Sequence, residues 1–479
     1  MLGKTKKILR GSFIVILSLL LFFSSYSVNF FAKANEMKEN TNDSSEEKNI
    51  VIIADDETST EETVNNVVEE NSDPEFEDIQ DKVDNNELNV SVVSPENNQD
   101  FENSNSIAAD AAVVEGNKLY KDFLKTELED GKRVFLYGDV QAEEYKEILD
   151  LDKLTVKEND GQLEFGESEE ELNEKAFENG KEFVDESADA SNDYEYSANE
   201  VNEKGSLDTP DSEFTSHVIG YTIDKSQELQ FVDVSINNFD ENGNSIPNTN
   251  EMVLQEVINT QSEIIDSENE INQEQNTTDA FTFITDNKVK AESVRVKNKY
   301  SLVEKGYRLG LLVARMDTDW HLYKQNSEKS KKYDYFTLKP VTQITSYKGI
   351  WARSIYTDID IPSATDHLDD WGPMGDRGTS SISLSLGYPF SVGISMSFGE
   401  NLKIDDRSSL AYDYARWQLN DGATELNRNI SGKTFNPAAG WASTGTYARA
   451  GLTVVGKFDN YITLTTKSNV SYDYSKATY

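Results

Sequence analysis

The sequence has no cysteine among its 479 residues and only three histidines. The lack of cysteine excludes disulfides, thiol nucleophiles, zinc–thiolate sites and iron–sulfur clusters. The three histidines, at positions 217, 321 and 367, are the only candidates for the histidine of a nucleophile–histidine–acid triad. Glycine-rich phosphate loops and the His-Glu-x-x-His and Gly-x-Ser-x-Gly motifs are absent as well. The sequence therefore disfavours an enzyme without excluding one, and it assigns no catalytic residue.

The N-terminus has the order of a secretory signal peptide, residues 1–34. A basic segment without acidic residues precedes the apolar run Phe13–Phe23, and Ala32-Lys33-Ala34 supplies a small-x-small cleavage sequence. An uncleaved anchor would need about 20 largely apolar residues, and polar residues interrupt this run from Ser24 onward. The sequence predicts a secreted bacterial protein, extracellular or associated with the cell surface.

Charge and aromatic residues are unevenly distributed along the chain. Residues 1–34 carry +5 and residues 291–479 carry +3, so the net charge of −43 leaves −51 on residues 35–290. All five tryptophans lie in the nearly neutral residues 291–479. A strongly acidic chain does not bind nucleic acid or anionic lipid through general electrostatics. We therefore expect no nucleic-acid partner, and we expect the aromatic-rich half to contact a protein or carbohydrate surface.

Residues 35–105 have the composition of an acidic disordered region. They are rich in Glu, Asp, Asn and Ser and have almost no aromatic residues, so they cannot bury enough apolar surface to offset chain entropy. Two short apolar runs, Ile50–Ile53 and Val90–Val93, could dock as strands on a later domain. A removable pro-segment is the alternative for the whole stretch.

Order is expected to begin near residue 107. Helical spacing, a buried strand and a hairpin predict a small α/β domain over residues 107–245, with an acidic insertion near residues 157–212. Residues 246–291 are acidic again and predict a linker or an exposed helix. Residues 292–479 contain about nine strand-like runs without a long helical period, which predicts an all-β antiparallel sandwich or barrel.

The sharpest pattern is a charge-free hairpin around Gly387-Tyr388-Pro389. Apolar residues alternate with serine and glycine on both arms, so that one face is apolar and the other small and polar. β-Pore-forming toxins build inserting hairpins in this way, although an ordinary half-buried sandwich hairpin shows the same pattern and is favoured. The candidate insertion residues are Ile382, Leu384, Leu386, Val392, Ile394, Met396 and Phe398.

A polar segment over residues 366–378 is a candidate calcium site. It is predicted to be a loop, and oxygen ligands in a pliable loop suit Ca²⁺. An ordinary solvated loop is the favoured alternative, and no other cofactor is expected. The candidate ligands are Asp366, Asp369, Asp370 and Asp376.

Two further polar patterns are weaker. Residues 240–248 resemble a short calcium loop with Asn at acidic positions, and an Asx-rich turn is the favoured interpretation. Asp317, Asp319 and His321 alternate beside Trp320, as carboxylates near an aromatic platform do in glycosidases. The solvated face of a sandwich shows the same pattern and is the favoured interpretation.

Three functions remain open. The leading prediction is an exported, non-enzymatic interaction protein that acts through its aromatic-rich β domain. The alternatives are a membrane-active pore-forming protein that uses residues 380–399 and a carbohydrate-active hydrolase.

Overall fold

The computed structural model divides into two units, residues 1–46 and 47–479, and every described residue belongs to the second unit. The signal peptide expected over residues 1–34 lies outside the described residues. The structure describes residues 48–54, 57–70, 74–85, 87–93, 104–149, 151, 155–158, 161–164, 214–223, 229–275, 293–295, 299–325, 333–362, 365–374, 380–384, 392–396, 402–421, 428–445 and 447–473.

Most of the described residues are in β-strands, with few helices. The helices are α1 (Glu57–Glu70), α2 (Pro74–Asp84), α3 (Ala111–Glu115), α4 (Lys118–Glu129), α5 (Ala142–Ile148) and α6 (Asn250–Gln275). The first strands are β1 (Lys48–Ile53), β2 (Leu88–Val93), β3 (Ser106–Asp110), β4 (Arg133–Gly138), β5 (Thr155–Glu158), β6 (Gly161–Glu164), β7 (Ser216–Ile223), β8 (Leu229–Phe239), β9 (Ser245–Ile246), β10 (Ser293–Arg295) and β11 (Lys299–Arg308). The remaining strands are β12 (Leu311–Gln325), β13 (Asp334–Ser346), β14 (Ala352–Asp360), β15 (Asp366–Gly372), β16 (Ser380–Leu384), β17 (Val392–Met396), β18 (Lys403–Asp406), β19 (Tyr414–Asn420), β20 (Lys433–Phe435), β21 (Ala438–Ser443), β22 (Tyr447–Phe458) and β23 (Thr463–Asp473).

The expected disorder of residues 35–105 is corrected for residues 48–93. Strand β1 pairs in parallel with β2 on one side and with β3 on the other. Its run Ile50–Ile53 is buried on both faces, as is typical of strands in parallel sheets. Helices α1 and α2 lie between β1 and β2 in the chain and bury Val64, Val67 and Ile79. The two apolar runs therefore anchor an acidic segment whose average composition resembles that of a disordered chain.

The same sheet runs from this N-terminal part into the C-terminal part. Strands β7 and β8 form the expected antiparallel hairpin, and β8 then pairs in parallel with β11 over Gln230–Phe239 and Lys299–Arg308. Among the described residues the sheet has 14 strands, in the order β15-β21-β13-β12-β11-β8-β7-β4-β3-β1-β2 with β9, β10 and β20 at its sides. The expected boundary between separate domains near residues 245–292 is therefore corrected, because this pairing crosses it.

Within the predicted linker or exposed helix of residues 246–291, the structure corrects the expectation for residues 252–265, which lie on helix α6. Its first turns bury Val253, Leu254, Val257 and Ile258 in a cluster shared with α1 and with strands of the large sheet. The acidic residues had suggested exposure, but Glu256 on this helix is itself buried against the sheet. Residues 252–265 of α6 are thus part of the core.

The C-terminal part is the predicted antiparallel sandwich. A second sheet of seven described strands, in the order β18-β19-β14-β22-β23-β6-β5, packs against the large sheet. The Phe336 ring lies 5.8 Å from Trp441 and 5.9 Å from Tyr472, between ring centroids. The Trp320 indole donates a hydrogen bond to the Ser468 hydroxyl across the two sheets, at 3.1 Å. These contacts hold the sandwich around one apolar layer.

Within the described part of the chain, no helix combines the length and apolar character that crossing a membrane requires.

Candidate functional site

The described parts of the 380–399 segment form an antiparallel β-hairpin, as its pattern predicts. Strands β16 and β17 pair with each other and, among the described residues, with no strand of either large sheet. The register places Ile382 opposite Ile394 and Leu384 opposite Val392. The described strands of this hairpin are thus not members of the sandwich sheets, a point that the sequence pattern leaves open.

The register also assigns the residues of the hairpin to two faces. Paired residues share a face and neighbours alternate, so Ile382, Leu384, Val392, Ile394 and Met396 occupy one set of positions. The other set pairs Ser381 with Ser395 and Ser383 with Gly393. The remaining two candidates, Leu386 and Phe398, lie outside the described residues.

Both ends of the segment that carries the hairpin are held on the second sheet. Before the hairpin, the Pro373 carbonyl accepts a hydrogen bond of 3.0 Å from the buried indole of Trp417. The Trp371 indole donates to the Asp406 carboxylate at 3.0 and 3.2 Å. After the hairpin, the chain enters β18 where Lys403 pairs with Asn420. The chain on both sides of the hairpin is therefore attached to the second sheet. The described strands of the hairpin form no backbone hydrogen bonds with the strands of either large sheet.

The predicted loop at residue 366 is wrong, because Asp366–Gly372 forms strand β15. Asp366 is fully buried and accepts hydrogen bonds from the hydroxyls of Ser443 and Thr365 and from the Arg449 amide. Burial raises the pKa of Asp366 to about 6, although these hydrogen bonds oppose the shift. The carboxylate is a structural acceptor that bridges the edge strand to β21 and β22.

The three proposed calcium ligands that the structure describes, Asp366, Asp369 and Asp370, do not form a metal site among themselves. Asp366 points into the core and Asp369 is exposed on the same strand, with a bulge between Leu368 and Asp370. Among the described residues, no group of three or more carboxylate or histidine side chains could hold a metal ion. Asp376 lies outside the described residues, so calcium binding by the complete segment stays a prediction.

The turn at residues 240–244 has the Asx geometry that its sequence favours. The Asp240 carboxylate accepts hydrogen bonds from the amides of Asn242 and Asn244, at 2.8 and 2.9 Å, and from the Asn244 side chain. These hydrogen bonds lower the pKa of Asp240. Both carboxylate oxygens of Asp240 therefore accept hydrogen bonds from residues of the same turn.

The hydrolase candidates lie on one face of β12, as their alternation predicts. The Asp317 carboxylate accepts from the Arg315 guanidinium at 2.8 and 3.0 Å, and Arg315 also reaches Glu263 of α6 at 3.3 Å. Burial raises the pKa of Asp317, and Arg315 opposes that shift. Asp317 therefore takes part in an ion network between helix and sheet.

The tryptophans mostly serve the core and not a binding face. Trp320, Trp417 and Trp441 are fully or almost fully buried and Trp371 is partly buried, whereas Trp351 is exposed. Large aromatic side chains bury 150–250 Å² each, which explains their use in the sandwich interior. The tryptophans, apart from Trp351, therefore contribute little exposed surface for the expected contact face.

Sequence reasoning missed a polar cluster on β7, β8 and β11. His217 Nδ1 lies 3.0 Å from an Asp233 carboxylate oxygen and 3.3 Å from the Ser235 hydroxyl, and Glu304 pairs opposite Ser235. Burial lowers the pKa of His217, but Asp233 and Glu304 outweigh it and the net shift is upward. Burial raises the pKa of Glu304 to about 8, against the opposing effect of His217. Because Asp233 and Ser235 face the same imidazole nitrogen, the three do not form a relay triad.

No family model matches the sequence, and no curated protein is similar enough to count as a relative. Solved structures show partial similarities. The Clostridium perfringens delta-toxin has 11% identity, a TM-score of 0.23 and covers 37% of this chain and 91% of its own. The membrane-inserted NetB toxin of the same organism has 8% identity and a TM-score of 0.19, and covers 38% of this chain and 94% of its own. The collagen-binding subdomain of the Enterococcus faecalis surface protein ACE has 11% identity and a TM-score of 0.16, and covers 30% of this chain and 88% of its own. TM-scores of this size do not establish a common fold.

Proposed function

We propose that this protein is exported and membrane-active, and that residues 380–399 enter a lipid bilayer as a β-hairpin. The observation that carries the proposal is the pairing of β16 with β17 alone, outside both large sheets of the described structure. A hairpin that belongs to neither large sheet can move away from the sandwich without breaking the backbone hydrogen bonds between the strands of those sheets.

The length and chemistry of this segment suit a bilayer. Residues 378–399 contain no charged side chain. The run divides around Gly387-Tyr388-Pro389 into arms of about nine residues, close to the ~9–11 that a membrane-crossing strand needs. The described pairing covers the middle of both arms and keeps the apolar residues on one face. Backbone polar groups in a bilayer must be satisfied internally, so several copies would need to pair their hairpins side by side.

The absence of cysteine makes a direct test possible. Single cysteines at positions 392–396 of the secreted chain, labelled with an environment-sensitive dye, should report a nonpolar environment at 392, 394 and 396 once vesicles are added. Positions 393 and 395 should report water. A uniform response along the arm, or no response at any position, would contradict insertion as a β-hairpin.

Dye release from liposomes tests the consequence. Ile394→Asp places a charge on the apolar face and should reduce release at least tenfold, because a charge facing lipid is costly. Ser395→Asp adds the same charge one residue away, on the polar face, and should keep most of the release. Equal release from both variants, with circular dichroism and thermal melting like those of the wild type, would remove the hairpin from the mechanism.

A further inference from the structure

One end of the sandwich exposes large apolar residues at the tips of neighbouring turns. Leu309 and Leu311 follow β11, Trp351 precedes β14 and Tyr461 follows β22; their side chains are 60%, 51%, 39% and 90% exposed. Isolated exposed apolar residues are normal on proteins. A group of them on turns that contact one another is a candidate interaction site.

Backbone contacts join these turns into one surface. The Leu309 amide donates to the Phe239 carbonyl at 3.2 Å, and Arg308 donates to the Glu241 carbonyl at 2.8 Å. The turn that contains Gly243 contacts the turn that contains Asn460, since a Cβ added at Gly243 would collide with the Asn460 carbonyl. The Asp459 amide in turn donates to the Trp351 carbonyl at 3.0 Å. We call Leu309, Leu311, Trp351 and Tyr461 the end patch.

The backbone of the end patch is held in an uncommon conformation. Leu309 and Tyr461 have φ of 52° and 63°, in the left-handed region that glycine and asparagine prefer. Bulky residues kept there cluster at functional sites, where surrounding structure maintains the strain. A turn selected only for stability would carry Gly or Asn at these positions.

The charges of these turns balance, unlike those of the chain as a whole. Arg308, Lys348 and Arg353 accompany Asp240, Glu241 and Asp459, in a protein of net charge −43. Arg353 donates to the Asp459 carboxylate, and its guanidinium lies 5.0 Å from the Trp351 ring centroid. An aromatic and aliphatic surface without net charge suits the headgroup layer of a zwitterionic membrane, where Trp and Tyr concentrate. The acidic remainder of the protein would be repelled by an anionic membrane.

The end patch also lies at the end of the sandwich where the chain returns from the hairpin. Lys403 pairs with Asn420, whose neighbour Leu419 pairs with Ile355 near the start of β14. Trp351 directly precedes β14. We infer that the end patch docks this protein on a zwitterionic lipid surface and brings the base of the hairpin to the bilayer. The second half of this inference rests on the proposed function; the docking does not.

The test measures binding of the secreted chain to phosphatidylcholine vesicles by co-sedimentation. The double variant Leu309→Asn/Tyr461→Asn removes two apolar side chains and places a residue that tolerates positive φ at both turns. Its matched control is Leu410→Asn/Tyr412→Asn, which changes two residues that are 54% and 50% exposed at the opposite end of β14.

The expected result is binding at least tenfold weaker for the Leu309/Tyr461 variant, unchanged binding for the control, and weaker wild-type binding when phosphatidylserine is added. Equal binding by the wild type and the Leu309/Tyr461 variant, or wild-type binding to anionic vesicles only, would overturn the inference. The inference would also be overturned if the Leu309/Tyr461 variant had a different oligomeric state from the wild type in ultracentrifugation without lipid. That result would show that the end patch is an interface with a second copy of the protein.

Failure of the docking inference is distinguishable from failure of the proposed function. Ile394→Asp should lose dye release, and adding Leu309→Asn/Tyr461→Asn to it should still weaken its binding to phosphatidylcholine vesicles at least tenfold. If the wild type binds vesicles but releases dye from none of them, the pore-forming proposal is rejected and the docking inference stands. If the Leu309/Tyr461 variant binds vesicles more weakly but retains dye release in full, the end patch does not bring the hairpin to the bilayer, and the pore proposal stands.

Discussion

The ammonium group of Lys305 lies 2.8 Å from the carboxylate of Glu256, and both side chains are at most 2% exposed. The pair joins helix α6 to strand β11, and the Tyr307 hydroxyl donates to the same carboxylate. Charged groups are rarely buried this completely unless they are paired. The contact therefore fixes the position of a helix that sequence composition alone describes as a linker.

Removing one member of this pair should destabilise the protein strongly. Lys305→Met leaves the Glu256 carboxylate buried without its cation, which costs about 3–5 kcal/mol in comparable pairs. Lys305→Met/Glu256→Met removes both charges and should cost clearly less than the sum of the two single variants. Urea unfolding of the four proteins gives the coupling free energy; additive single effects would show that the two groups act independently.

The stability of the fold should fall as pH rises between about 5 and 8. The pKa of Glu304 is raised to about 8 and that of His217 is also raised. Between the unfolded-state and native-state pKa values of Glu304 and His217, the native state binds more protons than the unfolded state. Raising the pH through this range therefore lowers the free energy of unfolding. Glu304→Gln replaces the protonated acid with a neutral group of similar shape.

This variant should lose much of the pH dependence between pH 6.5 and 8.5, as measured by thermal melting at several pH values. Asp360 and Asp366, whose pKa values are raised to about 6, act below that window and should leave a slope at lower pH. A Glu304→Gln profile that parallels the wild type across the window would contradict the assignment.

Asp366 should matter for stability and not for calcium. Asp366→Ala leaves the Ser443 hydroxyl and the Arg449 amide without their acceptor, at a cost of about 1–3 kcal/mol. The loss should be the same in EDTA and in millimolar Ca²⁺. Asp369→Ala, on the exposed face of the same strand, is the control and should change stability by less than about 0.5 kcal/mol.

Gly220 should resist replacement because of one aromatic neighbour. It pairs with Phe135 across β4 and β7, and a Cβ added at Gly220 would overlap the Phe135 ring. Gly220→Ala should cost about 1–3 kcal/mol through overpacking. Combining it with Phe135→Leu should cost less than the sum of the two single changes in chemical denaturation, whereas a double variant at or above that sum would reject the steric explanation.

The C-terminal strands were predictable because their signal is local. Alternation within each run predicts a strand, and turn residues between runs separate one strand from the next. The hairpin at residues 380–399 belongs to this class, and its described register follows from its pattern. Strand β15 is the exception, since its acidic sequence resembles a loop and the burial of Asp366 depends on Ser443, which lies far along the chain.

The N-terminal strands and the polar cluster were not predictable in the same way. Parallel pairing of β1 with β2 and β3 brings together segments that local patterns treat separately, and the surrounding acidic residues mask the short apolar runs. His217, Asp233 and Glu304 meet because β11 pairs in parallel with β8. Nothing in the residues near Glu304 indicates that partner.

The same parallel pairing has a consequence for the chain as a folding unit. Without β8, strand β11 would present a free hydrogen-bonding edge ten residues long, and open edges recruit other chains. A fragment that begins at residue 292 should therefore self-associate in size-exclusion chromatography, while residues 47–479 stay dispersed. The acidic half thus has a structural role for the β-rich half, because β8 keeps that edge paired.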